Sequence, residues 1–319
     1  MLRSILITLS KLNWAQRTIM RWGFAWRAAG RFVAGEKPED AINAIRELNA
    51  RGIQATLDHL GENTLRPEDA AQATSDILMI LDAIQQAGVQ ANVSIKLTQI
   101  GLALGDDLCR ENLVRILRKA QASGNFIRLD MEESRLVDQT LTLYQQMRSS
   151  GFDNLGVVIQ AYLYRSEADI HSLASLKTRV RLCKGAYQEL PEVAYPKKAD
   201  VDASYDRLVD CLMDQALAAY NPNQAVDPFT PPIPAIATHD VVRIKHAREY
   251  ADKIGLNRQA FEFQMLYGIR RDLQKNLSGQ GYRVRVYVPY GTRWYPYFMR
   301  RLAERPANLW FIISNFFRK

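Results

Sequence analysis

The chain has 319 residues, 47% of them hydrophobic and 24% charged, with 42 basic against 34 acidic side chains for a net charge of +8. This ordinary globular composition excludes a disordered chain and leaves room for one large domain or two smaller ones. The three cysteines, Cys109, Cys183 and Cys211, are widely spaced and, like the four histidines, form no metal or redox signature, so a reducing compartment and no metal are expected.

The first 35 residues hold Arg3, Lys11, Arg17, Arg21, Arg27 and Arg31 with no acid before Glu36, and Leu, Ile, Trp and Phe lie between them. Three readings fit this pattern: an amphipathic helix on an anionic membrane surface, an Arg-rich transit peptide, or a helical layer packed on the main domain. No basic stripe continues along the chain, which argues against a nucleic-acid partner. The run ILITL lacks a small-residue cleavage site, so no secretory signal is expected. The tail LWFIISNFF is too short to span a bilayer.

Beyond residue 50 short β-rich runs alternate with helix-length segments. The runs are IQATLDHLG, ANVSIKLTQIG, NFIRLDMEE, LGVVIQAYLY, RVRLCKGAY, IPAIATHD, FEFQMLYG and YRVRVYVPYG. Segments such as DDLCRENLVRILRKAQASG between them repeat apolar residues at helical spacing. Eight such units predict a parallel sheet closed into an α/β (βα)8 TIM-type barrel. The competing doubly wound sheet lacks its Gly-rich fingerprint, which LDHLGE does not supply.

Barrel chemistry sits at the carboxyl ends of the strands. Those ends carry Asp58 and Glu62, Lys96, Asp130, Gln160, Arg181 with Lys184, Thr238 with His239, Gln264 and Tyr287. A lysine that emerges from an apolar run such as VSIK is poorly explained by surface wetting alone. The segment from Gln188 to about Pro232 is long for a barrel connection, as lids and cofactor covers are. Its Pro-rich return NPNQAVDPFTPPIP reads as a solvated excursion.

The last helix is predicted over YPYFMRRLAE. Tyr297, Arg300, Arg301 and Glu304 share one face, and Phe298, Met299, Leu302 and Ala303 the other. Paired arginines suit bidentate grip of a carboxylate; with Lys96 they make an anion site that Asp130, Glu62 or Glu304 can balance. The alternative is an exposed Arg/Glu surface worth a few tenths of a kcal/mol per pair. No acid/base dyad, Ser/His/Asp set or metal cluster stands out, so the hard chemistry is expected of a bound anionic cofactor.

The segments VSIKLT, RLDMEE, VVIQAYLYR, VRLCKGAY, IATHD, FEFQMLYG and YVPYGTRWYPYFMRRLAERPAN together resemble the proline dehydrogenase family, in order from about residue 55 to 308. The likeness is to the monofunctional bacterial type and to the matching domain of bifunctional proline-oxidising enzymes. It implies a distorted (βα)8 barrel with FAD at the rim, oxidation of L-proline to Δ1-pyrroline-5-carboxylate by hydride transfer, and a membrane quinone as electron acceptor. It also implies an amino-terminal helical segment, residues 1–50, packed beside a catalytic barrel of residues 51–319. A cytoplasmic enzyme, peripheral at the inner face of the membrane, is the matching location, or the mitochondrial matrix in a eukaryote.

Carried over by motif, the resemblance gives Lys96, Arg300 and Arg301 the substrate carboxylate, and Tyr187, Leu266, Tyr287 and Tyr297 the ring pocket. Asp130 organises the polar end, and Glu62 pairs with Arg300 as an ionic gate. Gln160, Arg181, Lys184, Gly185, Thr238, His239 and Glu304 match flavin-contacting positions. Two departures stand out: Gln188 where bifunctional relatives often carry Trp, and Cys183 for an aliphatic residue, read as buried packing. Tyr287 crowds a ring hydroxyl, which favours proline over hydroxyproline. Two other functions compete: a Schiff-base aldolase acting through Lys96 or Lys184, and a membrane-surface binding protein centred on the basic amino-terminal segment.

Overall fold

All eight β-rich runs become strands in the computed structural model, which describes residues 9, 12, 23–221, 223 and 226–304. They are β1 (Gln54–His59), β2 (Ala91–Ile95), β3 (Ile127–Leu129), β4 (Leu155–Gln160), β5 (Val180–Cys183), β6 (Pro234–Ala237), β7 (Glu262–Leu266) and β8 (Arg283–Tyr290). Each pairs in parallel with its neighbours in sequence, and β8 returns to β1, so the sheet closes. Leu57 stands beside Val93 on one side and Val288 on the other, which sets the closing register.

The helices are α1 (Gly23–Ala29), α2 (Pro38–Asn49), α3 (Pro67–Ala87), α4 (Asp106–Ala122), α5 (Val137–Ser149), α6 (Ser166–Leu173), α7 (Lys198–Ala219), α8 (Val241–Ile254), α9 (Arg271–Gly279) and α10 (Trp294–Glu304). In α3, Ile77, Ile80, Leu81 and Ile84 recur at helical spacing and are all buried. That helix stops at Gly88, whose left-handed φ of 62° only glycine adopts without cost.

Strand alternation divides the barrel into two environments. Leu57, Val93, Ile95, Leu129, Val157, Phe263 and Val286 join the apolar core shared with the helices. The intervening Thr56, Asp58, Asn92, Ser94, Lys96, Asp130, Arg181, Glu262, Gln264 and Arg285 bond to one another in the interior. Branched apolar side chains usually fill such barrels. Here a hydrogen-bonded ionic network does so, and every buried charge in it must find a partner.

Two features distort the regular plan. The helix after β8 does not close the wall: α2 packs against β1 and β8 instead, and α10 lies over the rim. The Pro-rich return is not the solvated excursion expected. Its carbonyls take up donors from the barrel floor: Arg285 to Pro228 at 2.9 Å, Arg283 to Asp227 at 2.9 Å, Arg179 to Pro231 at 2.7 Å and Asn92 to Phe229 at 3.0 Å. Proline removes backbone donors and leaves acceptors, and a floor rich in guanidinium needs acceptors.

The basic segment before Gly23 and the tail after Glu304 lie outside the described residues. Among the described ones, no helix is long and apolar enough to cross a membrane.

Candidate active site

The carboxyl ends of the strands surround a cavity of about 690 Å³, within the usual range for small-molecule sites. Lys96, Asp130, Tyr187, Leu266, Tyr287, Tyr297, Arg300 and Arg301 line it, and so do Gln160, Arg181, Lys184, Gly185, Thr238 and His239. Glu62 meets Arg300 from outside that lining, its Oε1 2.8 Å from Nη1. Glu304 ends α10, and its side chain lies outside the described residues.

The wheel of α10 divides as its sequence predicts. Phe298, Met299, Leu302 and Ala303 are buried with Ala25, Ala29, Phe32 and Val33, in a cluster separate from the barrel core. The opposite face brings Tyr297, Arg300 and Arg301 into the cavity wall, with the Arg301 guanidinium 5.1 Å from the Tyr297 ring centre. Burial pulls the Arg300 pKa down, but the carboxylate of Glu62, then Tyr187, outweighs it and holds the pKa above its ordinary value. Arg300 is therefore a permanent cation.

Lys96 extends from β2 and bonds Asp58 at 3.2 Å, an acid that joins Glu62, the partner of Arg300, in balancing the cationic site. Burial opposes its charge, yet Asp58, followed by Asp130 and Glu62, holds its pKa above the ordinary value. Asp130 instead accepts from Ser94 Oγ at 2.7 Å, Arg181 Nη1 at 2.7 Å and Tyr287 Oη at 2.8 Å. Burial, and then Asp130, pushes the Tyr287 phenol well above its usual range, so it stays a donor. Behind this layer Arg181 Nε donates to Gln264 Oε1, Gln264 to Glu262, and Arg285 to Glu262. One wire of polar side chains thus joins the cavity to the Pro-rich floor.

Around the other side, Lys184 lies between Asp202 and Asp240. His239 Nε2 accepts the Leu266 N–H at 2.9 Å, which leaves the ring proton on Nδ1. Gln160 donates to the Met131 and Glu132 carbonyls at 3.2 Å each, while its buried Oε1 has no partner among the described residues. Gly185 adopts φ +115°, and a Cβ there would overlap the Tyr162 ring. Cys183, expected as buried packing, is half-buried and lines the cavity, because β5 ends there and its last side chain meets the rim.

The long segment after β5 is stitched down. Leu163 bridges Ala194, Tyr164 Oη donates to the Pro191 carbonyl at 2.9 Å, and Glu189 accepts from Ser134 N and Oγ at 2.7 and 2.5 Å. The sequence places Asp58 and Gln264 at the rim without their partners and does not single out Ser94, Glu132 or Thr98; the inward alternation of S-I-K in β2 held the signal for Ser94.

A closed (βα)8 barrel with a cationic, tyrosine-walled cavity at the carboxyl rim has the architecture of a barrel enzyme, whose active site lies at that face. Residues 41–313 match the family model described as proline dehydrogenase, and the chain belongs to that family. It is 44% identical over 294 residues to "Proline dehydrogenase" of Deinococcus radiodurans, covering 91% of this chain and 90% of that one. It is 38% identical over 317 residues to "Proline dehydrogenase 2" of Bacillus subtilis, covering 99% of each. Among solved structures, proline utilization A from Bdellovibrio bacteriovorus, inactivated by N-propargylglycine, superposes with a TM-score of 0.78 at 27% identity. That match covers 88% of this chain, which spans only 33% of the longer protein.

Proposed function

We propose that this protein oxidises L-proline to Δ1-pyrroline-5-carboxylate, with FAD as resident cofactor and a membrane quinone as final electron acceptor. The observation that carries the reading is the convergence of Lys96, Arg300 and Arg301 with Tyr287 and Tyr297 on one cavity. Three cations suit a carboxylate, and the tyrosines and Leu266 suit a saturated ring.

The residues present fit a flavin. Gln160 offers an unpartnered buried acceptor, Gly185 lines the cavity with its backbone packed against the Tyr162 ring, and Lys184 and Arg181, held by Asp202, Asp240 and Asp130, present donors to the same cavity. A bound FAD would supply the hydride-accepting chemistry for the ring carbon beside nitrogen. The protein's own part is binding and orientation. Arg300, Arg301 and Lys96 hold the carboxylate, and Tyr187, Leu266, Tyr287 and Tyr297 fix the ring and exclude water. Asp130 holds Tyr287 and Arg181 in place from behind. The substrate amine must be neutral when the hydride departs, so activity rises with pH until that proton is lost.

Exposed Tyr164, Leu190 and Val193 stand on the loops after β4 and β5, and exposed Val241 and Val242 open α8 after β6, which supports an acceptor drawn from a lipid surface and a peripheral location there. The aldolase reading is disfavoured because a Schiff-base lysine must lose its proton, whereas Lys96 is held charged by Asp58. An absorption spectrum tests the proposal: a flavin band in the purified protein, bleached by L-proline without oxygen, is expected. A colourless protein, or a flavin that proline leaves oxidised, overturns it.

A further inference from the structure

The loop that carries Glu62 runs from Leu60 to Arg66, and its first five residues are tied at both ends. Leu60 N–H donates to the Tyr290 carbonyl at 2.8 Å, and the Gln99 amide donates to the His59 carbonyl at 2.9 Å. On the far side Thr64 donates its N–H and its hydroxyl to the Thr98 carbonyl, at 3.2 and 2.9 Å. Between them Asn63 stands at φ 55°, a left-handed conformation that a side-chain-bearing residue holds only when its surroundings impose it.

The tie at Asn63 is a side-chain one. Its N–H donates to Thr98 Oγ1 at 3.1 Å. The Thr98 hydroxyl donates in turn to Glu132 Oε2 at 2.6 Å, while Thr98 N–H donates to Glu132 Oε1 at 3.1 Å. Both carboxylate oxygens are engaged, and both residues are buried. The direction of each bond matters. A hydroxyl that gives its proton to a carboxylate keeps its lone pairs free, so Thr98 is turned into an acceptor aimed at Asn63.

We infer that Thr98, oriented by the buried carboxylate of Glu132, is a positioning residue that sets the Glu62–Arg300 ion pair over the bound substrate. The relay runs from the acid of the LDMEE segment through β2's loop to the backbone beside Glu62, and touches neither substrate nor cofactor. Glu132 also anchors the neighbouring wall, since its carbonyl accepts from Gln160. The inference rests on the proposed proline-oxidising reading and gives it a second layer.

Three variants and one cycle test it. Thr98→Val keeps the side-chain shape and removes the hydroxyl. The expected result is a KM for proline and a dissociation rate for a saturated-ring carboxylate inhibitor both raised about tenfold, with kcat unchanged and flavin fully bound. Inhibitor release is read by stopped flow from the flavin absorbance, independently of turnover. Thr98→Ser, which keeps the hydroxyl, restores both values. In a Glu62→Ala background Thr98→Val adds nothing further, because the pair it positions is gone. Should Thr98→Val not fold, Glu132→Gln replaces it with the same expected split. Unchanged KM and release in Thr98→Val, or a full additional effect in the Glu62→Ala background, overturns the inference. Failure of proline to bleach the wild-type flavin overturns the underlying reading instead, so the two failures are distinct.

Discussion

Arg301→Lys tests the carboxylate clamp most directly, because it keeps the charge and removes the fork. A carboxylate held by two guanidinium donors drops to a single donor, a loss of about 1.5–2 kcal/mol for one charge-assisted hydrogen bond. The Arg301 guanidinium also lies 5.1 Å from the Tyr297 ring centre, and a flexible ammonium forfeits about 0.5–1 kcal/mol of that contact. Together these come to about 2–3 kcal/mol, which corresponds to KM raised about 30- to 150-fold. The clamp grips ground state and transition state alike, so kcat should hold within a small factor. Steady-state kinetics with a soluble dye acceptor, on protein whose flavin content equals that of the wild type, measure both. A KM within about threefold of wild type, with flavin fully bound, refutes the assignment of Arg301 to the carboxylate.

Replacing Gly185 with Ala forces a Cβ into the Tyr162 ring at φ +115°; the flavin-to-protein absorbance ratio should fall sharply, and full occupancy contradicts the cradle. Tyr287→Ser empties the space over the ring, so the preference for proline over 4-hydroxyproline in kcat/KM should drop by about tenfold; an unchanged ratio removes Tyr287 as the discriminating wall. Arg285→Met strips donors from Glu262, Ala55 and Pro228 at once. Its cost of about 3–5 kcal/mol lowers Tm by roughly 5–7 °C in a chain of this size; a melting curve shifted by under about 2 °C contradicts the ionic floor. Lys96 has a folded pKa above its ordinary 10.5, so its pair with Asp58 is fully present below 10.5 and is lost only as pH rises through the higher folded value. Tyr187 and Tyr287 are likewise held above their ordinary 10.0. The pH profile of kcat/KM should therefore rise to a plateau with no falling limb below about pH 10; a fall near pH 8–9 would mean that one of these groups titrates early.

The barrel was legible because its strands obey a simple rule. Runs such as ATLD and VSIK alternate apolar and polar residues, and the apolar members face the helices. The paired arginines were legible for a similar reason, since helical spacing alone sets Arg300 and Arg301 opposite Phe298 and Leu302. Partner choice was not. The cationic site had three candidate acids, of which Glu62 pairs with Arg300; the partner of Lys96, Asp58, is the inward residue of the neighbouring strand, a relation set by register across the sheet. The Pro-rich return misled because composition reports what a loop lacks in donors, while its role depends on which guanidinium groups lie beneath it. Nor could periodicity reveal that α2 fills the wall between β8 and β1 and so displaces α10 to the rim.

That displacement ties α10 to the segment around α1. The apolar back of α10 is covered by Ala25, Ala29, Phe32 and Val33, Trp26 lies 5.4 Å from Trp294, and Trp294 Nε1 donates to Glu36 at 3.1 Å. Residues 25–36 are thus the socket for α10, the helix that brings Tyr297, Arg300 and Arg301 to the cavity wall. A substitution in that socket, at Ala29 or Phe32, would shift the cavity's cations without touching a strand of the barrel.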